Sequence, residues 1–392
     1  MRNLRMDTKK LLLALGLFMM STLTLFYSQL TPHISEKRLS KDTSKADIDG
    51  VYIFYNDEGA VAKQVIKKNG TPIVKTKHFK KNIAGKKFQI SVNNKENFPV
   101  RIQKQLQNQP SVYPMPEKFI VISDIEGEYD AFRTFLINNK VIDKNNQWIF
   151  GSGHLITLGD FFDRGLLVTQ TLWLIYSLEE QAEKAGGKVH FILGNHDIMN
   201  MSHDFRYVRK KYFENARLMN EEYINFYKPN TELGRWLGTK NIIEKIGSYV
   251  FVHAGISKEV SDLNLSIPEM NSIARRYYFN TKSAQTSSDK LANGLYMYAK
   301  SPTWYRGFGK EDIDRSDFEE IRQKMGADKF VIGHTLHTTI TYLLDKKVID
   351  IDVHHAGGKT QGLLVENGKE YAVDIHGNTS AIVENASPED GD

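Results

Sequence analysis

Short apolar segments recur along the chain, and polar residues beside a glycine follow directly after each of them. The segments are three to five residues long, which is too short for a helix and predicts buried β-strands. Because the polar residues come where the strands end, we expect them at the carboxyl edge of a sheet, where open α/β folds bind ligands. The segments are Phe119–Ile122, Leu155–Leu158, Val189–Leu193, Tyr249–Val252 and Phe330–Ile332.

Between these strands the apolar residues take the spacing of amphipathic helices. One such pattern covers residues 129–138, and a second runs from about 166 to 185 and ends at two glycines. An aromatic and basic stretch at about 202–238 is predicted to be a helical insertion. The repeated order of strand, helix and strand predicts an α/β fold.

The chain on either side of this region has other patterns. Residues 50–115 contain β-prone runs separated by Gly, Asn and Pro turns, and predict a small β-rich module before a catalytic domain at 116–376. Residues 31–49 are predicted to be a linker, and residues 377–392 a tail with a disordered acidic end at Glu384–Asp392. A second sheet is expected from four C-terminal strands at 339–344, 348–353, 362–366 and 370–374.

The first thirty residues do not fit the fold. Basic residues precede an uncharged apolar segment at 11–30 that is long enough to span a bilayer. Residues 1–30 are therefore either a signal peptide or an uncleaved N-terminal membrane anchor. In both cases we expect contact with the membrane or the export machinery. The rest of the chain would then lie outside the cytoplasm: periplasmic, secreted, or anchored to the inner membrane by residues 11–30.

Composition narrows the possible functions. The 392 residues include 52 Lys and Arg and 47 Asp and Glu, and the net charge of +5 is too small to indicate a nucleic-acid partner. The chain contains no cysteine. Disulfides, thiolate zinc sites and catalysis by a cysteine nucleophile are therefore excluded.

The residues that follow the five strands supply carboxylate, amide and imidazole groups. In chain order they spell D-x-E-G, G-D-x-x-D-R-G, G-N-H-D, H-A-G and G-H-T. This mixture of ligands is typical of sites that hold paired divalent metals. Any single element is a weak signal, but G-D-x-x-D-R-G followed by G-N-H-D at strand ends is a specific one.

These motifs resemble those of the calcineurin-like metallophosphoesterases and, within them, of the phosphoprotein phosphatase family. Three further features are similar to the bacterial Shewanella-like protein phosphatases: Trp304-Tyr305-Arg306-Gly307, a β-rich start at Gly50–Tyr55, and an insertion with Arg206-Tyr207-Val208. The likeness runs from about residue 50 to 375. It implies an αββα sandwich, in which helices flank two mixed β-sheets, with the small N-terminal β module in addition.

The resemblance implies a set of metal ligands. Asp160 would bridge two metal ions, and Asp124 and Glu126 would complete the first site. Asp124 and Glu126 are two residues apart at a strand end, so they project on one side. The second site would be completed by Asn195, His253 and His334.

The resemblance also implies roles in catalysis. His196, oriented by Asp163, would protonate the leaving group. Arg164, Asn195 and Arg306 would bind the substrate phosphate, the arginines through bidentate contacts.

Glu126 departs from the family, which usually has histidine at this position. A carboxylate makes the first site all oxygen and favours hard ions over zinc. We therefore expect two divalent ions, manganese first, with magnesium, iron or zinc as alternatives. Three other histidines match no family position and are expected at the rim or in structural roles: His337, His354 and His355.

Three functions remain open. The first is a two-metal phosphomonoester hydrolase that acts on phosphorylated proteins, at phosphotyrosine, at phosphoserine and phosphothreonine, or at both. The second is a periplasmic small-molecule phosphatase or nucleotidase with a small phosphomonoester as its substrate. The third is a non-catalytic module that binds phosphorylated ligands. Intact His196 and Asp163 argue against the third, because a binding protein does not need a leaving-group acid.

Overall fold

The computed structural model describes residues 45–80 and 82–389. The strands are β1 (Asp49–Asn56), β2 (Gly59–Lys68), β3 (Thr71–Phe79), β4 (Lys87–Ser91), β5 (Asn97–Arg101), β6 (Val112–Tyr113), β7 (Lys118–Ile122), β8 (His154–Leu158), β9 (Lys188–Ile192), β10 (Ile243–Ile246), β11 (Tyr249–Val252), β12 (Lys329–Ile332), β13 (Thr341–Leu343), β14 (Val348–Asp350), β15 (Gln361–Glu366), β16 (Lys369–Asp374), β17 (Thr379–Ser380) and β18 (Val383–Glu384). The helices are α1 (Tyr129–Asn138), α2 (Val168–Lys184), α3 (Asn195–Met201), α4 (Lys210–Leu218), α5 (Glu232–Leu237), α6 (Lys258–Ser261), α7 (Ile267–Arg275), α8 (Thr281–Gln285), α9 (Lys290–Leu295) and α10 (Arg315–Met325).

Two mixed sheets pack face to face. The first sheet has the strand order β17-β16-β15-β7-β8-β9, and the second has the order β18-β13-β14-β12-β11-β10-β6. Phe119 and Ile156 of the first sheet share one buried cluster with Phe251 and Val331 of the second. Ile120, which faces the other way, joins the larger cluster that includes helix residues. Both sheet faces are therefore covered, which confirms the αββα sandwich.

The strands that precede the polar motifs run in parallel within each sheet. In the first sheet β7 pairs in parallel with β8, and β8 with β9. In the second sheet β11 pairs in parallel with β12, and β12 with β14. The predicted motif residues thus follow the carboxyl ends of neighbouring strands.

The C-terminal strands do not form one separate sheet, so that prediction is wrong. β13 and β14 join the second sheet, whereas β15 and β16 join the first, where β15 lies antiparallel to β7. Leu363 and Val365 of β15 are fully buried in the cluster between the sheets, which favours this placement. The predicted turn at Asn367-Gly368 is confirmed, since both residues have positive φ (51° and 73°), as a type I′ hairpin turn requires.

The N-terminal strands pack onto the α/β region. β1, β2 and β3 form one antiparallel sheet, and β4 and β5 form a hairpin. The indole nitrogen of Trp173 on α2 donates to the carbonyl of Val51 (2.9 Å), and Tyr52 stacks on Phe226 of the insertion. Near the predicted end of this module, β6 pairs with β10 of the second sheet. The boundaries at residues 50 and 115 stay a prediction.

The C-terminal end of the described chain packs on the second sheet. The prediction that Glu384–Asp392 are disordered is wrong for the residues up to Glu389. Val383 pairs with Thr341 of β13, Ile382 is buried, and the Glu389 amide donates to the carbonyl of Leu336. Apolar Ile382 explains why this segment stays on the sheet edge.

The predicted signal or anchor at 1–30 lies outside the described residues. Within the described ranges, no helix is long and apolar enough to cross a membrane.

Candidate metal centre and active site

The residues that follow the strands adopt backbone conformations that turn the chain sharply. Asp124, Asp160 and His334 have φ values of 50°, 58° and 67°, and Asp163 and Arg164 also lie in the left-handed region. This conformation costs a residue with a Cβ about 1–2 kcal/mol. Such strain is concentrated at functional sites, where the surrounding structure maintains it.

Hydrogen bonds join the strand ends into one unit. The Asp124 amide donates to the carbonyl of Gly159 (2.9 Å), and the Gly333 amide donates to the carbonyl of His253 (2.8 Å). The carboxylate of Asp197 accepts from the amides of Gly194, Asp160 and Phe161 at 2.8–3.0 Å. No role was predicted for Asp197 from the sequence, although its place in G-N-H-D was visible. It fixes the two loops that carry Asp160 and Asn195.

One group of ligand atoms brings together the predicted second metal site. Ligand atoms of Asp160, His253 and His334 lie within 4.8 Å of one another, and all three residues are buried. His253 Nδ1 lies 2.9 Å from the carbonyl of Leu158, so it carries the hydrogen and leaves Nε2 as a lone pair towards Asp160 Oδ2, 3.2 Å away.

Asn195 provides a test of whether these residues fit a metal. Its Oδ1 position is 3.0 Å from His253 Nε2, 3.0 Å from His334 Nδ1 and 3.2 Å from Asp160 Oδ2. Four atoms with lone pairs thus converge, which is unfavourable unless a cation lies among them or the amide turns its nitrogen inward. Separations near 3 Å are also what octahedral ligands at about 2.1 Å produce. The residues therefore fit a divalent metal.

A second group of ligand atoms shares Asp160 with the first. Here Glu126, Asp160 and His196 converge within 4.8 Å. Glu126 also forms an ion pair with Arg164. Asp124, the other predicted ligand of the first site, belongs to neither group; its Oδ2 accepts from the backbone amide of His334 (3.3 Å). The structure thus brings Glu126 to Asp160 and Asp124 to the end of β12.

A chain of hydrogen bonds orients His196. Its Nδ1 lies 2.6 Å from Asp163 Oδ2, and Nε2 lies 3.9 Å from Asp160 Oδ2. The side-chain Nδ2 of Asn200, one turn later on α3, donates to Asp163 Oδ1 (2.9 Å). The hydroxyl of Tyr223 donates to the side-chain Oδ1 of Asn200. The sequence analysis missed Asn200 and Tyr223, although the spacing of four between His196 and Asn200 could have indicated the first.

The carboxylates and imidazoles of the site shift one another's pKa values. Burial raises the pKa of Asp160, but His253 and His196 outweigh it and hold this pKa below its usual range. Burial lowers the pKa of His253, but Asp160 and Asp124 raise it to about 10. Burial lowers the pKa of His196 too, and Asp160 and Asp163 raise it above its usual value. A proton and a metal would therefore compete for His253, and the two carboxylates favour the protonated form of His196.

The two predicted phosphate-binding arginines lie at the edge of this site. Arg164 is placed over the ring of Tyr207 (5.5 Å), and Tyr207 lies 4.9 Å from the ring of His196. Arg306 donates to the carbonyl of His334. The structure thus brings all the predicted site residues to one edge of the sandwich.

A sixth strand end, which the sequence analysis did not include, lies beside them. Asp350 ends β14 and Asp352 follows in the loop, and both are buried. Burial, together with the negative charge of Asp124, raises the pKa of Asp352 well above its usual value. The pattern of an apolar strand followed by a carboxylate was present at Val348–Asp352 and could have indicated it.

The calcineurin-like phosphoesterase family matches residues 117–337, more than half of the chain. The chain belongs to this family.

Relatives narrow the class further. A solved structure, the cold-active protein-tyrosine phosphatase of a psychrophilic Shewanella species, is 32% identical with a TM-score of 0.77, and the match covers 86% of this chain and 99% of that one. Shewanella-like protein phosphatase 2 of Arabidopsis thaliana is 25% identical over 298 residues, 64% of this chain and 74% of the relative. Shewanella-like protein phosphatase 1 of Plasmodium berghei (strain Anka) is 28% identical over 227 residues, 56% of this chain and 61% of the relative.

These findings confirm the predicted resemblance to the Shewanella-like protein phosphatases. The protein is a phosphoester hydrolase, and its family implies divalent metal ions, for which the structure offers the two groups of ligand atoms.

Proposed function

We propose that the protein is a two-metal phosphomonoester hydrolase whose substrates are phosphorylated proteins. The observation that carries the two-metal proposal is the position of Asp160, which belongs to both groups of converging ligand atoms. A carboxylate in that position can bridge two ions. Asp124 and Glu126 would then hold the first ion, and Asn195, His253 and His334 the second.

Each residue has a defined task in this proposal. Metal ions bound here would supply a water activated as the nucleophile and would offset charge on the phosphoryl oxygens. His196 donates its Nε2 proton to the leaving oxygen, while Asp163 accepts from Nδ1 and stabilises the charged ring. Arg164 and Arg306 orient the phosphate from the rim.

The surroundings of the site favour a phosphorylated aromatic side chain. Tyr207 lies beside His196, and Trp304 lies edge-on to His334 with ring centroids 5.8 Å apart. Tyr298, which is 55% exposed, lies 4.9 Å from Trp304. Aromatic walls of this kind suit a phenyl ring more than an aliphatic phosphoserine. The Shewanella relative, named a protein-tyrosine phosphatase, supports the same choice.

A substrate panel tests the proposal. Metal-stripped protein would be refilled with manganese, magnesium or zinc and offered a phosphotyrosine peptide, a phosphoserine peptide, p-nitrophenyl phosphate and nucleotides. We expect manganese to restore activity and kcat/KM to be highest for the phosphotyrosine peptide. Higher kcat/KM for nucleotides would make the protein a small-molecule phosphatase. Binding of phosphopeptides without turnover would make it a binding module.

The proposal includes a place of action outside the cytoplasm. It rests on the basic and apolar sequence of residues 1–30 alone. Cell fractionation with a C-terminal tag tests it. Recovery of the full-length chain in the cytoplasm would contradict it.

A further inference from the structure

We propose that Asp352 is a ligand of the first metal site and makes up for the family histidine that Glu126 replaces. This inference rests on the proposed two-metal function. It assigns a metal-binding role to the end of β14, which the motifs do not include.

The position of β14 brings Asp352 to the site. β14 lies parallel to β12 with Ile332 opposite Asp350, and the Ile351 amide donates to the carbonyl of Ile332 (2.9 Å). Asp352 therefore lies level with His334, the proposed ligand that follows β12. The His337 amide donates to the carbonyl of Asp352 (3.0 Å) and holds its backbone in place.

The side chain of Asp352 is mostly withdrawn from water. The residue is 7% exposed, and its side chain makes no hydrogen bond or ion pair within residues 45–80 and 82–389. Its strongest electrostatic neighbour is Asp124, another carboxylate. Buried carboxylates are normally paired with a cation or coordinate a metal. A cation between Asp124 and Asp352 would satisfy both.

His355, on the same side of Asp124, is also buried without a polar side-chain partner among the described residues. His355 is 4% exposed, lies against the backbone of Ser123, and has both ring nitrogens without a hydrogen bond in the described part of the chain. The hydroxyl of Ser123 is buried too, and it faces the carboxylate of Asp124. Buried ring nitrogens without a partner indicate an ion or water that completes them.

Glu126 is shared between the first site and Arg164. The guanidinium of Arg164 offsets part of the negative charge of Glu126 at the edge of the site. Asp352 approaches from the opposite sheet and supplies a second full carboxylate beside Asp124. The resulting set of oxygens suits manganese or magnesium, which prefer oxygen ligands.

Asp350, two residues earlier, has another function. Its Oδ1 accepts from the amide of Asp352 (3.0 Å), and its Oδ2 lies 3.5 Å from His337 Nδ1. The hydrogen bond from the Asp352 amide fixes the turn after β14 and, with it, the position of Asp352. Asp350 is therefore a positioning residue, and it is not a suitable control for loss of a ligand.

Direct metal binding tests the inference without relying on activity. Manganese would be titrated into metal-stripped wild type, Asp352→Asn and Asp345→Asn, with free ion read by electron paramagnetic resonance and bound metal counted by mass spectrometry. Asp345 lies in the exposed turn before β14, with 88% of its side chain exposed, and its substitution removes the same charge. We expect two ions per chain in wild type and Asp345→Asn. In Asp352→Asn, affinity at one of the two sites should fall by about 10–100-fold.

Two outcomes separate the inference from the proposed function. Fewer than two ions in the wild type would contradict the two-metal function itself. Two ions in Asp352→Asn with wild-type affinity would overturn only the role of Asp352. If Asp352→Asn does not fold, Asp352→His decides, because an imidazole ligand should raise zinc affinity relative to manganese. An unchanged ratio in that variant would overturn the inference.

Discussion

In the proposed mechanism His196 donates the proton, and its two ring nitrogens have different surroundings. Nδ1 is fixed by Asp163, which Asn200 fixes in turn, while Nε2 is directed towards Asp160. Asp160 and Asp163 raise the pKa of His196 above its usual value and so favour the protonated ring. Tyr223 extends the chain of hydrogen bonds into the helical insertion, so the insertion helps to hold His196 in place.

Loss of this acid should slow turnover without removing metal. We expect His196→Asn to lower kcat by about two to four orders of magnitude. The loss should be larger for an alkyl phosphate than for p-nitrophenyl phosphate, because a good leaving group needs less help from a proton. Steady-state kinetics with both substrates and a metal count would measure it. Equal losses for the two substrates would remove His196 from the acid role.

Single residues also show what sequence can and cannot reveal about the site. Asp160 and His196 could be predicted because an apolar strand and the polar residue after it are neighbours in the chain. Asp352 follows its strand in the same way, but it matches no motif, and its approach to Asp124 depends on how two sheets stack. Asp197 was visible in a motif, yet its three amide donors come from loops that only the fold brings together.

At the scale of elements, two histidines and a glutamate form a polar cluster along β8 and β9, away from the site. His190 on β9 lies 3.0 Å from His154 at the start of β8 and 2.6 Å from Glu244 on β10. Burial, His190 and Lys188 lower the pKa of His154 to about 4. This end of the strands therefore responds to acid.

The sign of the response follows from the two states of His154. In the unfolded chain its pKa is about 6.5, so between pH 6.5 and 4 the unfolded chain binds a proton that the folded chain does not. Its contribution to stability is complete above pH 6.5 and is lost as pH falls towards 4. We expect His154→Gln to weaken this dependence, whereas His78→Gln, on the exposed strand β3, should leave it unchanged. Urea denaturation from pH 7 to 4 would measure it, and equal slopes in wild type and His154→Gln would contradict it.

Pairing between distant elements is what the sequence could not give. The apolar runs of β7 and β15 are each visible, but nothing local indicates that Leu363 lies opposite Val121. For this reason, the prediction that the four C-terminal strands form a second sheet was wrong. Predictions that depend on neighbouring residues, such as α1 and the turn at Asn367-Gly368, were confirmed.

At the scale of the whole molecule, the site joins the two sheets. Asp124, Asp160 and Asn195 follow strands of the first sheet, whereas His253 and His334 follow strands of the second. Ions held by both sets of ligands would therefore hold the sandwich together at this edge.

Metal removal should thus lower stability as well as activity. A ligand present at one hundred times its Kd stabilises the folded state by about 2.7 kcal/mol. We expect the Tm to fall in EDTA and to recover when manganese is added in excess. Asp160→Asn, which weakens both sites, should show little difference between the two conditions. Thermal scans of the two proteins would measure this, and an EDTA-insensitive wild-type Tm would contradict it.

The position of β15 beside β7 also bears on how the protein is synthesised. A ribosome completes β7, β8, β9 and all the strand-end motifs through His334 before it reaches residues 361–366. Until then, the edge of β7 that β15 later covers has unpaired backbone groups, which invite pairing with other chains. A transcript that ends early would therefore encode every recognisable motif and still yield an aggregating product, so the last strands decide whether translation produces an enzyme.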